Sequence, residues 1–398
     1  MVKTPHGNRL HVGIFGETNA GKSALFNALT NSDISIVSEE EGTTTDAVQK
    51  AMELLPFGPV VLIDTAGLND KSSLGQKRLE KTKKIIDRID IALYVIDASK
   101  AKESLKLYKE FDSMLKDRGI PHVLAISKVD EVTGETVIDE LPHGINVSVY
   151  KPGTISNLKE SMIQQLTLIR NDESTLVGNL IPAGSHVVMV VTLDSGAPRG
   201  RLILPQVQLV RDCLDNNCFV HVSTEKELGT LLENLKQVDL VVTDSQVFNE
   251  VAKIIPKDLK LTSFSILLAH QKGEIATLID GIKGIGQLKD GDKVLISEVC
   301  THSKTHDDIG QVKIPEALKK LTGKDLKLEF TQGRDYPSDL STYNLVIHCA
   351  GCMVTPTEMK NRIKIAKDAG VPITNYGLFL AYVAGVLDRS IEILGEKS

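Results

Sequence analysis

The sequence predicts an α/β protein with one larger N-terminal domain on a parallel-type sheet, followed by two smaller α/β domains. Three observations support this. From Val12 to about Ile169, the short β-rich runs HVGIF, VVLID, IALYVID and HVLAIS alternate with amphipathic helical stretches. The stretch Asn171–Ser185, polar and punctuated by Gly and Pro, interrupts the alternation and reads as a linker. Beyond it the alternation resumes twice, first with VVMVVTL, FVHVS and VDLVVTD, then with KVLISEVC, LKLEF and YNLVIHCAGC. The expected domains are residues 8–170, 178–262 and 263–398, with no internal repeat of fixed period.

The net charge of −6, with both signs interspersed, gives no reason to expect nucleic acid or an anionic membrane as partner. No uninterrupted apolar run is long enough to span a bilayer. The opening MVKTPHGNRLHVGIFG runs directly into a strand, which leaves no room for a signal peptide, so a cytoplasmic protein is expected. Five cysteines are an odd number and too few for a disulfide framework. Cys213 lies in an apparent helix and Cys218 before FVHVS, and both read as structural.

The first strand leads into GETNAGKS (16–23), followed by a helix whose Leu25, Phe26 and Leu29 recur at helical spacing. This is the phosphate-loop pattern. Gly16 and Gly21 let the backbone present N–H groups, and the helix N-terminus adds partial positive charge. Lys22 supplies a cation for the β and γ phosphates, and the Ser23 hydroxyl a ligand for Mg²⁺. Asn19, Ala20 and Ala24 complete the cradle.

Three later motifs narrow the nucleotide to GTP or GDP. DTAG (64–67) ends a strand, so Asp64 holds the Mg²⁺ shell and the Gly67 N–H meets the γ-phosphate. In SKVD (127–130), Lys128 and Asp130 face the base, and a carboxylate accepts both N1–H and N2–H of guanine, which adenine cannot offer. In VSV (147–149), Ser148 and Val149 place backbone amides near the base oxygen. Between the first two, EGTTTD (41–46) holds a threonine able to close over Mg²⁺ and γ-phosphate. Each later motif is weak alone; four in order at strand ends predict a P-loop GTPase domain.

That order resembles the translation-factor-like GTPases, most closely the branch with Era and the tRNA-modification GTPase, over roughly residues 10–170. The resemblance implies Thr44 rather than Thr43 as the switch threonine, from GTTTD against the family's GTTRD. Two departures stand out. Ser127 replaces the usual Asn, so a base and loop-tethering contact is expected to be weakened or replaced. Leu68 follows Gly67 in place of a water-orienting Gln. In this branch a K⁺ ion on the first-loop Asn supplies positive charge, and Asn19 occupies that position. The implied activity is slow, K⁺-stimulated GTP hydrolysis with Lys22, Asn19, Thr44, Asp64 and Gly67 at the reacting phosphate.

SEVCTHS (297–303) and VIHCAGC (346–352) end two β-rich runs. Cys349 and Cys352 have C-x-x-C spacing, and Glu298, Cys300 and His302 share one face of an extended segment. Strand ends of one sheet bring three thiolates together with Glu298, His302 and His348. From spacing alone, a zinc site and a [4Fe–4S] cluster are both open.

C-T-H, then 45 intervening residues, then H-C-A-G-C resembles the C-x-H…H-C-x-x-C signature of the [FeFe]-hydrogenase maturation GTPases, the HydF family. GRLILPQ (200–206) resembles another of its segments, so the resemblance spans nearly the whole chain as GTPase, dimerisation and cluster-binding domains. It implies a [4Fe–4S] cluster on Cys300, Cys349 and Cys352; the face shared with Cys300 makes Glu298 or His302 the candidate fourth ligand, ahead of His348. It also implies a homodimeric scaffold that receives components from radical-SAM maturases and carries a transient di-iron precursor to apo [FeFe]-hydrogenase. The competing expectation is an Era-like RNA- or ribosome-associated GTPase with a zinc-stabilised tail, which the lack of a basic stripe or stacking aromatics opposes.

Overall fold

Two units follow one another, Met1–Glu173 and Ser174–Ser398. The computed structural model describes residues 6–30, 48–65, 82–132, 144–171, 175–193, 202–299, 309–333 and 335–396.

In the first unit the elements are β1 (Leu10–Gly16), α1 (Lys22–Thr30), β2 (Val48–Leu54), β3 (Gly58–Asp64), α2 (82–86), β4 (Ile91–Asp97), α3 (Ala101–Lys116), β5 (His122–Ser127), β6 (Gly144–Val147) and α4 (Pro152–Asn171). They build a six-stranded sheet of order β2-β3-β1-β4-β5-β6, parallel except for β2. IALYVID forms central β4 and is buried at every position, as a parallel strand covered on both faces requires. Leu25, Phe26 and Leu29 of α1 pack with Leu158, Met162 and Leu166 of α4 on one face. Ile86, Ile89, Phe111 and Leu115 cover the other.

The second unit carries two four-stranded sheets. The first uses β7 (His186–Val190), α5 (Leu204–Asp215), β8 (Phe219–Ser223), α6 (Leu228–Asn234), β9 (Leu240–Thr243), α7 (Phe248–Ile254), β10 (Leu261–Ser263) and α8 (Phe264–Lys272). After α9 (Ile275–Asp280), the second uses β11 (Lys293–Glu298), α10 (Ile314–Thr322), β12 (Lys327–Gln332), β13 (Leu345–His348), α11 (Pro356–Asp368), β14 (Ile373–Asn375), α12 (Tyr376–Val383) and α13 (Leu387–Ile391). The orders are β10-β9-β7-β8 and β12-β11-β13-β14, all parallel.

Read by chain order within each sheet, both are the same 2-1-3-4 arrangement. The registers put Val187 with Leu240 and Val294 with Leu345, so β7 and β9 correspond to β11 and β13. DLVVTD (239–244) then aligns with NLVIHC (344–349), and LTSFSILLA (261–269) with ITNYGLFLA (373–381). Details repeat as well. Asp239 Oδ2 accepts the His186 N–H at 2.7 Å, and Asn344 Oδ1 accepts the Lys293 N–H at 3.0 Å. Ser263 caps α8 by accepting the Ile266 N–H, and Asn375 caps α12 by accepting the Leu378 N–H, each worth about 1 kcal/mol. The second unit is thus two copies of one module.

The two modules share a core. On α8, Ile266 and Ala269 pack into a cluster that includes Val294, Ile347 and Phe379. Phe264, Leu267 and Leu268 pack with Val187 and Met189. The linker expectation for 171–185 is corrected in part. Leu176, Val177 and Ile181 are buried, and the Leu176 and Val177 N–H groups donate to Asp212 at 2.9 and 2.8 Å. Apolar anchors spaced without period turn this Gly- and Pro-containing stretch into packed structure.

Candidate functional sites

The phosphate loop leaves β1 through Gly16, whose φ of 139° belongs to glycine; a Cβ there would lie 2.2 Å from the Val95 carbonyl oxygen. Asn19 (φ 65°) and Gly21 (φ 89°) also adopt left-handed conformations, curling the loop before α1. The Lys22 ammonium donates to the carbonyls of Gly16 (2.9 Å) and Glu17 (2.6 Å), so it spans the loop. The Ser23 hydroxyl donates to Asp64 Oδ2 at 2.9 Å, which brings both expected Mg²⁺-shell oxygens together at the ends of α1 and β3. That donor set of hydroxyl and carboxylate fits a hard divalent cation. Thr65 locks the strand end by donating to the Ile14 carbonyl at 2.5 Å. Asn19, Ser23 and Ala24 are exposed, while Ala20 is buried. Thr43, Thr44, Gly67 and Leu68 lie outside the described residues.

At the base side, Ser127 is buried and its hydroxyl lies 2.6 Å from the Ala20 carbonyl and 3.1 Å from that of Ile96. The loop tether expected to be weakened is therefore supplied by serine: β5 is tied directly to the phosphate loop. Lys128 (φ 57°) pairs with Asp97 at 2.6 Å. Burial raises the Asp97 carboxyl, but hydrogen bonds from Lys128 and Ser99 outweigh it and hold it below the usual range. Asp130 is exposed, and its carboxyl is lowered first by the Ser148 hydroxyl hydrogen bond. Thr154 accepts the Ser148 N–H and donates to its carbonyl, fixing the β6 end, where Val149 is exposed.

The second site sits where β11 and β13 end. These neighbours are the first and third strands of their sheet, so the strand order reverses between them, and the carboxyl ends at such a switch point are where parallel sheets bind ligands. The Cys349 N–H donates to the Ser297 carbonyl at 2.8 Å. Cys349 Sγ accepts N–H groups from Val299 (3.3 Å) and Gly351 (3.4 Å). Burial, then the neighbouring Cys352, push the Cys349 thiol up to about 11, against those two hydrogen bonds. Cys352 is half-buried.

Glu298 is buried at the β11 end, and its Oε1 accepts the Tyr376 hydroxyl at 3.2 Å. His348 is fully buried. Its Nδ1 donates to the Cys349 carbonyl (2.8 Å), while Nε2 accepts from Arg362 (3.1 Å). Burial and Arg362 depress His348 to about 3, so it is neutral with both nitrogens engaged and serves the turn rather than a metal. Arg362 is in turn held by Glu358 at 2.7 Å. Cys300 and His302 lie outside the described residues. Among the described residues no group of three potential ligands assembles. Cys213 and Cys218 are buried in the other module, and burial pushes Cys213 up to about 12.

Sequence reasoning missed Arg362 and Lys272, which binds the Cys352 turn from α8. The one available signal is a charged residue at a position that shares its helix's core-facing register.

Residues 11–128 match the family model described as a 50S ribosome-binding GTPase. Residues 176–273 match the hydrogen maturase F dimerization domain, and 276–393 the hydrogen maturase F tetramerization domain. Among curated proteins, the tRNA modification GTPase MnmE of Lactobacillus acidophilus is 33% identical over 161 residues, 38% of this chain and 33% of that one. GTPase Der of Kosmotoga olearia is 44% identical over 97 residues, 23% of this chain and 22% of that one. The chain thus spans about a third or less of the length of these relatives. Among solved structures, the G domain of the T. maritima FeoB iron transporter is 24% identical, covering 40% of this chain and 99% of that one, with a TM-score of 0.31. Era in complex with MgGDPNP and a 16S ribosomal RNA segment is 16% identical, covering 82% and 94%, with a TM-score of 0.32. With a P-loop GTPase domain followed by both maturase-specific modules, the chain belongs to the hydrogen maturase F family.

Proposed function

We propose that this chain is a GTP-hydrolysing scaffold that holds a [4Fe–4S] cluster and delivers the di-iron precursor of the [FeFe]-hydrogenase active site. The observation that carries the reading is Cys349: a half-buried sulfur receiving two backbone N–H groups at a sheet switch point, with Cys352 three residues on and Cys300 two residues past the β11 end in the sequence. Cys300, Cys349 and Cys352 are the ligands, with Glu298 or His302 at the fourth iron. A cluster so bound supplies an exchangeable iron position, since a carboxylate or imidazole leaves iron more readily than a thiolate. Around it, the Val299 and Gly351 amides stabilise negative charge on sulfur, Tyr376 orients Glu298, and His348 with Arg362 keeps the Cys349 carbonyl turned away.

In the GTPase unit, Lys22 and the loop amides bind the phosphates, Ser23, Asp64 and Thr44 hold Mg²⁺, and Gly67 senses the γ-phosphate. Asp130, steadied by Ser148, reads guanine. Asn19 takes K⁺ beside the phosphates, and turnover is slow. The three functional segments are 8–170, 178–262 and 263–398, with α8, which completes the first module, lying beyond the last boundary and packing against both modules. Self-association uses the first module's open edge, where β8 and α5 expose Phe219 (57%), Val222 (50%), Val207 (49%) and Leu214 (63%). The radical-SAM maturases and apo-hydrogenase are the partners, in the cytoplasm. Among the described residues no helix is long and apolar enough to cross a membrane.

The test incubates apo [FeFe]-hydrogenase with the maturases and either the wild-type chain or its Cys300→Ala, Cys349→Ala and Cys352→Ala variants. Hydrogen evolution is expected with wild type and lost with each variant. Full evolution with all three variants contradicts the proposal.

A further inference from the structure

Lys272 is the last residue of α8, a helix of the first module, yet its ammonium ends in the second module's C-x-x-C turn. It is only 3% exposed, at the end of the helix FSILLAHQK. Nζ donates to the carbonyls of Gly351 (3.2 Å), Cys352 (3.3 Å) and Val354 (2.9 Å). An ammonium has three N–H donors, and among the described residues three carbonyls of this one turn accept from it. From the other side, His348 Nδ1 takes the Cys349 carbonyl. The turn therefore has its carbonyl ends gathered on Lys272 and His348, while the Val299 and Gly351 amides face Cys349 Sγ. Gly351, at φ 67°, makes that reversal without a Cβ penalty.

The duplicated module acts as an internal control. Thr192 N–H donates to Asp244 Oδ2 at 2.8 Å, just as Val299 N–H donates to Cys349 Sγ. The strand-end acceptor thus belongs to the shared fold. The clamp does not: aligning LTSFSILLA with ITNYGLFLA sets Lys272 against Ala384, the C-cap of α12. The lysine is a feature of the cysteine-bearing turn.

We propose that Lys272 is the positioning residue of the cluster turn, holding its peptides so that amides face sulfur and placing a positive charge beside the bound cluster. The charge half rests on the iron–sulfur reading above; the clamp half concerns the metal-free turn. A cation close to an anionic cluster favours its reduced state, so removing it moves the midpoint potential to more negative values.

The test compares full-length wild type, Lys272→Met and Lys272→Gln, each prepared without metal and after reconstitution with iron and sulfide. In the metal-free proteins, iodoacetamide labelling of Cys352, followed by mass spectrometry, is expected to speed up severalfold in both variants. After reconstitution, iron affinity is expected to fall roughly tenfold, and the midpoint potential to become more negative. Labelling at the wild-type rate overturns the clamp, and an unmoved potential in a variant that holds the cluster overturns the electrostatic role. If the wild type itself takes up no cluster, the iron–sulfur reading and the charge half fall together, and the labelling still decides the clamp. Should Lys272→Met not fold, Lys272→Gln, which keeps a polar head of similar length, gives the same reading.

Discussion

Ser127 shows how a departure from a family motif is absorbed by chemistry. Serine is shorter than asparagine, yet on a buried strand end its hydroxyl reaches the Ala20 carbonyl at 2.6 Å. Ser127→Ala removes one hydrogen bond to the loop, worth about 1 kcal/mol, so GTP affinity measured by calorimetry is expected to fall roughly fivefold. An unchanged affinity would show that the tether does not shape the loop. Asn19, left-handed and exposed, is expected to carry the K⁺ effect. GTP turnover should be faster in K⁺ than in Na⁺ for wild type and equal in both for Asn19→Ala; equal wild-type rates contradict the assignment. Such residues were legible because GETNAGKS and SKVD write their chemistry in contiguous sequence. Lys272 and Arg362 were not, because each acquires its partners only when α8 and α11 pack beside the turn.

Elements carry a second kind of information. Strand ends were legible: Asp64, Ser127 and Glu298 end β3, β5 and β11, because a continuous apolar run that stops at a polar residue marks where a parallel strand leaves the core. The duplication stayed hidden because the offset changes: Leu240 answers Leu345, while Leu261 answers Ile373. The supposed linker hid its anchors for a related reason, since Leu176, Val177 and Ile181 follow neither helical nor strand spacing. At β5, His122 accepts or donates to the Tyr108 hydroxyl at 2.8 Å. Burial holds its pKa below the ordinary value, helped by Lys116 and opposed by Asp112. A depressed folded pKa means this stability is full above the unfolded value near 6.5 and is lost as pH falls through the folded one. The GTPase unit is therefore expected to lose melting temperature on acidification below about pH 6.5, less steeply in His122→Gln. Identical slopes would remove His122 from the account.

At the scale of the whole chain, each unit has its own cores, so residues 175–398 are expected to fold without the GTPase unit. Circular dichroism of that fragment should give a cooperative melt; a non-cooperative one would mean the second unit depends on the first. The two modules inside that unit share α8 and its core, so cutting between them should not give two stable pieces. Self-association through β8 and α5 is tested by Phe219→Glu with Leu214→Glu, which puts charge on the exposed apolar edge. Analytical ultracentrifugation should show wild type associated and the double variant shifted to monomer. Persistent association would place the interface elsewhere.

We propose that three cysteines at the ends of β11 and β13 hold iron and sulfide. Absorption and electron paramagnetic resonance of the full chain reconstituted anaerobically with iron and sulfide, beside the three cysteine-to-alanine variants, test this directly. The wild type is expected to be brown, with a reducible [4Fe–4S] signal that weakens or disappears in Cys300→Ala, Cys349→Ala and Cys352→Ala. A colourless protein carrying stoichiometric zinc, or an undiminished cluster signal in all three variants, would contradict it.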